Sequence, residues 1–450
     1  MAQQQKTEVN RVQALLMEMF GLSAGVSWLA CLVTIVAVLA AVFWFFHSAP
    51  PTTLSITSGP KGSSFESTAI KYQAILAKEG VTLQIIPSAG SDENLRRLQD
   101  PSSGVDIGFV QGGITNDPES AKASRVVSLG SISYQPMMIF YRGSTLNVLS
   151  ELKGKRLVIG PPGSGDRSLA LTLLETNGIS SNSATFVDLD SEAAAEALRG
   201  GRVDAIFLMG DSASSQVMRS LLISRDIHLY DVIQADAYIR RFTYLSKLDL
   251  PRGSIDFGQD VPDHDVQLIA PTVELLARPS LHPALTDLLL ETAKHVNGKA
   301  SLLRRQDEFP APMEHGFPIS GDAARFYKSG KRFFYRYLPF WLASLVNRIV
   351  VAFVPMIVVL VPALRLIPAL FRWRMRTRIF HWYRSLLALE KDVQTTAVKT
   401  EPEKLLGRLD EIEIAVNKMK VPASFAEQFY GLRGHIGFVR DRILHDGKTT

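Results

Sequence analysis

Two uninterrupted apolar runs stand out from the pattern of hydrophobic and polar positions. The first covers residues 21–46 without a charged residue, and the second covers residues 349–364. A helix rises about 1.5 Å per residue and needs about 20 residues to cross a bilayer, so the first run is long enough and the second is marginal. The pattern predicts transmembrane helices at residues 21–46 and 349–370. Two crossings place both termini on one side of the membrane and the central stretch on the other.

The first run could instead be a cleaved leader. A signal peptidase needs small residues at its cut, but bulky aromatic residues precede His47, and Pro50 follows at the obvious position. A lipoprotein cut before Cys31 would leave a long apolar stretch on the mature protein. An uncleaved anchor is therefore expected. Basic residues flank the two runs on the side away from the central stretch and favour cytoplasmic termini: Lys6, Arg11, Arg372, Arg374, Arg376 and Arg378.

Between the runs, short apolar segments alternate with helical patterns, which is typical of parallel sheets with crossover helices. Two cycles, at residues 54–110 and 156–210, share one order: strand, Gly/Ser loop, helix, strand, helix, and a strand that begins Val-Asp. The apolar segments 137–142 and 266–280 are expected to cross between the two halves. The sequence thus predicts an α/β domain of two lobes at residues 54–320. Its ligand cleft is expected at the carboxyl ends of the strands.

Gly/Ser-rich loops follow three of the predicted strands, at residues 59–67, 88–94 and 160–168. Glycine lets a ligand approach the backbone closely, and the free N–H groups of the following helix attract an anion. Three such loops around one cleft suit a small carboxylate, although each loop alone could be only an N-cap and a tight turn. The third loop has the glycine separation of a phosphate-binding P-loop, but Asp166 stands where that motif has lysine, so nucleotide hydrolysis is not expected.

Charge and composition narrow the function classes further. The formal net charge of +5 is concentrated near the second apolar run, which favours membrane lipid over nucleic acid as a partner. The single cysteine, Cys31, excludes an intramolecular disulfide. The histidines are scattered, and neither a metal-ligand spacing nor a nucleophile–base pair is evident. The sequence therefore predicts no metal, no cofactor and no enzymatic activity.

Four segments carry a family resemblance: SAGSDENLRRL, VDIGFVQ, LKGKRLVIGPPGSGDR and AAAEALRGGRVDAIFLMG. Together, and in this order, they resemble the TAXI solute-binding proteins of TRAP transporters over residues 54–318. The resemblance implies a type II periplasmic-binding-protein fold that closes on a small organic anion, often a dicarboxylate or an acidic amino acid. It also implies TRAP permease subunits as partners, and a location at the bacterial inner membrane with the binding domain on the extracytoplasmic side.

The resemblance also implies the ligand contacts, which are Ser63, Ser64, Gly90, Ser91, Gln111, Tyr134, Gly163, Ser164, Gly165 and Arg167. Arg167 could clamp a ligand carboxylate with two N–H groups or lie free on the surface. Gln111 could read polar ligand groups or act as a cap, and Tyr134 could face the cleft or pack. Two departures stand out. Typical members are secreted, whereas this chain resembles the membrane-attached subset, and Lys61 and Phe65 replace a turn rich in glycine and tyrosine, which leaves the ligand open.

The remaining segments flank the second apolar run. Residues 330–348 mix aromatic and basic side chains, which suits the membrane interface, and Pro355, Pro362 and Pro368 are expected to kink the second span. Residues 1–20 form a short cytoplasmic tail. Residues 373–450 carry two apolar stripes at helical spacing and predict an antiparallel helical hairpin. The stripes could pack on each other or dock a partner.

Three functions remain open. The first is a tethered receptor that passes an organic acid to a separate TRAP permease, since two spans cannot form a solute path. The second is a ligand sensor in which closure of the cleft is reported by the cytoplasmic hairpin. The third, an enzyme acting on a small acid, has no catalytic constellation to support it.

Overall fold

The computed structural model describes residues 24–47, 49–114, 126–313, 316–394, 402–419, 421 and 425–446. The chain divides into two compact units, Pro50–Val346 and a second unit formed by Met1–Ala49 with Asn347–Thr450. The N-terminal tail at residues 1–20 lies outside the described residues. The strands of the first unit are β1 (Thr53–Thr57), β2 (Thr82–Ile86), β3 (Ile107–Gln111), β4 (Val127–Tyr134), β5 (Met138–Tyr141), β6 (Arg156–Val158), β7 (Thr185–Val187), β8 (Ala205–Leu208), β9 (His228–Leu229), β10 (Leu245–Leu250) and β11 (Val266–Ala277).

The helices follow the same chain order. They are α1 (Ala24–His47), α2 (Ser64–Lys78), α3 (Ser91–Gln99), α4 (Gly165–Thr176), α5 (Ser191–Arg199), α6 (Ser215–Leu222), α7 (Ala235–Arg241), α8 (Pro283–Asn297), α9 (Gly321–Ser329), α10 (Phe333–Tyr337), α11 (Phe340–Gln394), α12 (Pro402–Asn417) and α13 (Ala426–Asp446).

Two β-sheets organise the first unit, as the alternating pattern predicts. The first sheet has the order β10-β11-β3-β1-β2, with β4 paired to β11. The second has the order β7-β6-β8-β5-β9. The first predicted cycle supplies the parallel strands of the first sheet, and the second cycle supplies those of the second sheet. In each sheet, antiparallel strands are added at one side. The part of the unit built on the first sheet is called lobe one, and the part built on the second sheet is lobe two.

The strand β11 passes from one lobe to the other, as predicted. Val266, Leu268 and Ala270 in its first half pack in a core of lobe two, whereas Val273 and Leu275 in its second half pack in the core of lobe one. Apart from the half-buried Gln267, the residues of β11 are buried because each half faces a sheet and the helices that cover it.

The other crossing lies slightly earlier than predicted. The segment Met138–Tyr141 belongs wholly to the second sheet, and the preceding strand Val127–Tyr134 belongs to the first. The chain therefore changes lobes at residues 135–137. The sequence pattern hid strand β4, since its serines and its glycine interrupt the apolar alternation.

Within the described residues, one helical segment, Phe340–Pro362, is long and apolar enough to cross a membrane, and Leu32–His47 is a shorter apolar helix. The first coincides with the second predicted span but begins earlier, inside the segment predicted to lie at the interface. Arg348 is the only charged residue in it, and its aromatic start extends the apolar length. Helix α11 continues without interruption to Gln394, through the positions of all three prolines. A double crossing and kinks at the prolines stay predictions.

The tail contains helices α12 and α13, at the positions of the two predicted apolar stripes. Both stripes face one core, in which Leu409 and Leu432 are fully buried. The final part of α11 joins this core through Met375, Leu386 and Leu389. The tail is thus a three-helix cluster and has one more helix than the sequence analysis predicts. Residues 422–424, which precede α13, lie outside the described residues.

Candidate functional site

The Gly/Ser loops meet where the two lobes touch. The Ser64 N–H group of lobe one donates to the Gly210 carbonyl of lobe two at 2.7 Å, and the Glu93 N–H group donates to the Gly163 carbonyl at 3.0 Å. Ser63 forms an isolated antiparallel bridge with Ser214. These contacts join backbone to backbone across the cleft, so the two lobes lie in a closed arrangement.

One buried carboxylate lies at the centre of these loops. Asp211, three residues after the end of strand β8 and directly after Gly210, is fully buried. Its Oδ2 atom accepts from the Gly165 N–H group at 2.8 Å and from the N–H and hydroxyl groups of Ser91 at 3.3 and 3.2 Å. Gly165 and Ser91 are the first residues of helices α4 and α3, where free N–H groups and the helix dipole favour negative charge. The position that the sequence predicts for an anion therefore holds a carboxylate of the chain itself.

Glycine is required at this contact for steric reasons. A Cβ atom on Gly165 would lie 2.5 Å from both Asp211 Oδ2 and Gln111 Oε1. Gly90 has a φ of +137°, and a Cβ atom there would lie 2.8 Å from Asp211 Oδ2. The loops thus use glycine to bring the backbone close to an anion.

A second buried carboxyl lies beside the first. Asp166 Oδ2 accepts from the Ser212 hydroxyl at 2.6 Å, and Oδ1 accepts from the Arg167 N–H group at 3.0 Å. Burial, and then the charge of Asp211, raise the pKa of Asp166 to about 7. Burial also raises the pKa of Asp211, while the N–H groups of Gly165 and Ser91 oppose that rise. The two carboxyls titrate as a pair that retains a proton at much higher pH than free aspartates do.

The contact leaves two acceptor atoms without partners. Gln111, at the end of strand β3, donates through Nε2 to the Gly165 carbonyl at 2.7 Å, which links the lobes again. Its Oε1 atom and Asp211 Oδ1 are buried and have no hydrogen-bond partner among the described residues. A buried acceptor without a donor is costly, so these atoms mark a position that a hydrogen-bond donor would stabilise.

Eight of the ten predicted ligand contacts lie together at this contact between the lobes. They are Ser63, Ser64, Gly90, Ser91, Gln111, Gly163, Ser164 and Gly165. Ser91 and Gly165 bond Asp211, whereas Ser63, Ser64 and Gly163 contact Ser214, Gly210 and Glu93 of the opposite lobe. Whether they contact a ligand stays a prediction.

The other two residues engage different partners. The Tyr134 hydroxyl donates to Glu308 at 2.8 Å, and its ring lies edge-on to Phe309 at 4.9 Å between centroids. Arg167 pairs with Asp188 at 2.5 Å and donates to the Gly160 carbonyl at 3.0 Å. Arg167 therefore binds a carboxylate of lobe two in this arrangement, and its role as a clamp on a ligand carboxylate stays a prediction.

The sequence analysis missed Asp211, Ser212 and Gln135. The Gln135 carboxamide, in the connection between the lobes, contacts the N–H groups of Gly210 and Asp211. A signal for Asp211 was present, because residues 210–214 form a fourth loop between a strand and a helix, with Ser214 as the N-cap of α6. The rule that ligand groups follow the carboxyl ends of strands applies to that loop as well.

No group of three or more His, Cys, Asp or Glu side chains that could hold a metal ion occurs in the part of the chain that the structure describes. The pair of carboxyls is stabilised by N–H and hydroxyl donors, and burial raises the pKa of both groups. Chemically, the contact can hold one carboxylate group between two helix N-termini.

Solved structures of periplasmic binding proteins are among those similar to this chain. The match to the aliphatic sulphonate-binding protein SsuA from Escherichia coli covers 55% of this chain and 69% of that chain, at 17% identity and a TM-score of 0.35. A periplasmic binding protein from Brucella ovis with glutathione bound matches 54% of this chain and 66% of its own, at 14% identity and a TM-score of 0.34. A putative methionine-binding lipoprotein from Bacillus subtilis matches 54% and 92%, at 14% identity and a TM-score of 0.32.

The ligand named for each of these structures is a property of that protein. The match to a protein family begins at the end of the first Gly/Ser loop and includes strands of both lobes. Residues 67–328, more than half of the chain, match the NMT1-like family, and the protein belongs to that family.

Proposed function

We propose that the protein is a membrane-tethered extracytoplasmic solute receptor that binds a small organic anion, a dicarboxylate or an acidic amino acid, for TRAP-type transport. One observation carries this proposal. The N–H groups of Ser91 and Gly165, which begin helices in opposite lobes, converge on a single carboxylate oxygen. When the lobes separate, the same N–H groups become available to the carboxylate of a ligand.

The apolar helices support the proposed tether. The segment Phe340–Pro362 is long enough to cross a bilayer, and the apolar helix Leu32–His47 precedes the two-lobed unit. Two spans with both termini in the cytoplasm hold that unit at the outer surface of the inner membrane. Since two helices cannot enclose a solute path, transport requires separate permease subunits. The protein acts as a binder and not as an enzyme.

A ligand screen on the full-length protein in detergent tests the receptor. A ligand that binds only the folded state adds about 2.7 kcal/mol to the free energy of unfolding at 100 times its Kd, and so raises the melting temperature. Succinate, malate, aspartate and glutamate are the probes. Asparagine and glutamine, which keep the α-carboxylate and lose only the side-chain charge, are the controls for the last two. At least one acid is expected to raise the melting temperature while its control does not. No shift with any organic acid contradicts the proposal.

A sensor is the alternative function, and the continuity of helix α11 favours it. This helix extends without a break from the apolar segment at Phe340 to Gln394, where it shares a core with α12 and α13. A displacement of the apolar segment could therefore reach the tail. Deletion of residues 377–450 distinguishes the two functions. A receptor retains solute uptake after the deletion, whereas a sensor loses its ligand-dependent response in the cell.

A further inference from the structure

The carboxylate of Asp211 lies where a receptor of this kind would hold its ligand. Asp211 and Gly165 both belong to lobe two, but Ser91 belongs to lobe one. The hydrogen bonds from Ser91 N–H and Oγ, at 3.3 and 3.2 Å, therefore link the lobes. Asp211 both occupies the anion position and holds the lobes together.

This internal occupant fits its position incompletely. Asp211 Oδ1 and Gln111 Oε1 are buried acceptors without a partner among the described residues. Both side chains lie against Gly165, the first residue of helix α4. A Cβ atom on Gly165 would lie 2.5 Å from both Gln111 Oε1 and Asp211 Oδ2. Unpaired buried acceptors weaken the self-occupied arrangement, so another carboxylate that brings its own donor can replace Asp211.

We propose that Asp211 is a built-in competitor of the ligand, whose carboxylate closes the two lobes in the free protein and must leave before a ligand carboxylate can enter. The inference rests on the proposed function, because it takes the anion position between the lobes to be the receptor's ligand site. Asp211 then determines how tightly an anion binds. Its removal both opens the free protein and raises the affinity for carboxylates.

The distance between the lobes in the full-length, ligand-free protein tests the proposal. Lys71 of lobe one and Gln216 of lobe two are exposed and line one groove at the edge of the contact. Spin labels on cysteines at these positions, with Cys31 replaced by alanine, report opening as a longer distance. The short distance is expected to dominate when Asp211 is present.

Asp211→Ala is expected to reduce the ratio of short to long distances by at least about tenfold, because charge-assisted hydrogen bonds to Ser91 are lost. Asp226→Ala changes an exposed aspartate of lobe two and serves as the control, for which no change is expected. Acetate, which supplies the missing carboxylate, should restore the short distance in Asp211→Ala. Acetamide has the same shape without the charge and should not.

Three results overturn the proposal: a long distance in the free protein that retains Asp211, a short distance in Asp211→Ala without acetate, or equal effects of acetate and acetamide. If Asp211→Ala does not fold, Asp211→Asn keeps the volume without the charge and is expected to open the lobes as well. Failure of the proposed function looks different. In that case no organic acid raises the melting temperature of either protein, while the ligand-free distances still depend on Asp211.

Discussion

The two lobes differ in the charge of the buried polar side chains that they bring to their contact. The buried polar side chains of lobe one at this contact are uncharged and include Ser91, Asn94 and Gln111. Those of lobe two include the carboxyls of Asp166 and Asp211. Lobe one therefore supplies N–H and hydroxyl donors, and lobe two supplies the negative charge that they bind.

One buried polar side chain of lobe one, Asn94, is satisfied entirely within that lobe. The Asn94 carboxamide donates to the Ser58 and Phe109 carbonyls at 2.5 and 2.8 Å and accepts from the Thr57 and Ser88 hydroxyls, both at 2.6 Å. Lobe two, in contrast, depends on Ser91 of the opposite lobe for two of the bonds to Asp211. A buried carboxylate without donors is strongly unfavourable. Separation of the lobes therefore deprives a buried charge of lobe two of donors, whereas lobe one loses acceptors for the uncharged groups of Ser91 and Gln111.

The largest expected effect is on the free energy of unfolding and comes from the buried carboxyl of Asp166 in lobe two. An unfolded aspartate has a pKa of about 3.9, whereas burial and Asp211 raise the pKa of Asp166 to about 7. Between these pH values the folded protein binds more protons than the unfolded chain, so the free energy of unfolding falls as pH rises from about 4 to about 7 and then levels off. The contribution of Asp166 to this fall is expected to be about 2–4 kcal/mol.

Asp166→Asn removes this dependence and provides the comparison. The melting temperature of the variant relative to the original protein should increase between pH 5 and pH 7.5. Asp211 is retained in both proteins, but it titrates together with Asp166, so the difference reports the loss of the pair and not of Asp166 alone. A constant difference across this pH range would show that Asp166 ionises normally and that the lobes do not differ in this way.

A steric change at the contact is expected to have the next largest effect. The Cβ atom of Gly165→Ala would meet Asp211 and Gln111 at 2.5 Å, so the donor of lobe two must move away from its carboxylate. Overpacking of this kind costs about 1–3 kcal/mol, and the labels at Lys71 and Gln216 should report a longer distance. Gly321→Ala is a matched control. Gly321 also begins a helix after a serine N-cap, but a Cβ atom there contacts nothing within 4 Å. Equal melting temperatures for the two variants would contradict the expectation.

The sequence revealed the sheets and the loops because their signals are local. Strand β3 and helix α3 can be predicted from residues adjacent in the chain, and glycine and serine at positions 88–91 indicate a tight turn into a helix. The burial of Asp211 could not be predicted in this way. It depends on donors at residues 91 and 165, which are remote in the sequence and come together only when two lobes fold and close. An aspartate after a glycine is also common in exposed turns, so the residue type alone does not predict that Asp211 is buried.

The partner of Arg167 was hidden for the same reason, and a substitution there gives the smallest expected effect. The pair with Asp188 joins a half-buried guanidinium to an exposed carboxylate, and such pairs contribute about 0.2–1 kcal/mol. Arg167→Met keeps the aliphatic part of the side chain and should lower the melting temperature slightly. It should leave unchanged the rise in melting temperature that an organic acid ligand causes. The guanidinium of Arg167 contacts lobe two only, and the N–H group that donates to Asp166 belongs to the backbone. Loss of that rise in Arg167→Met, but not in Asp188→Asn, would instead identify Arg167 as a ligand clamp. The anion would then be recognised by a positive side chain of lobe two as well as by the helix N-termini.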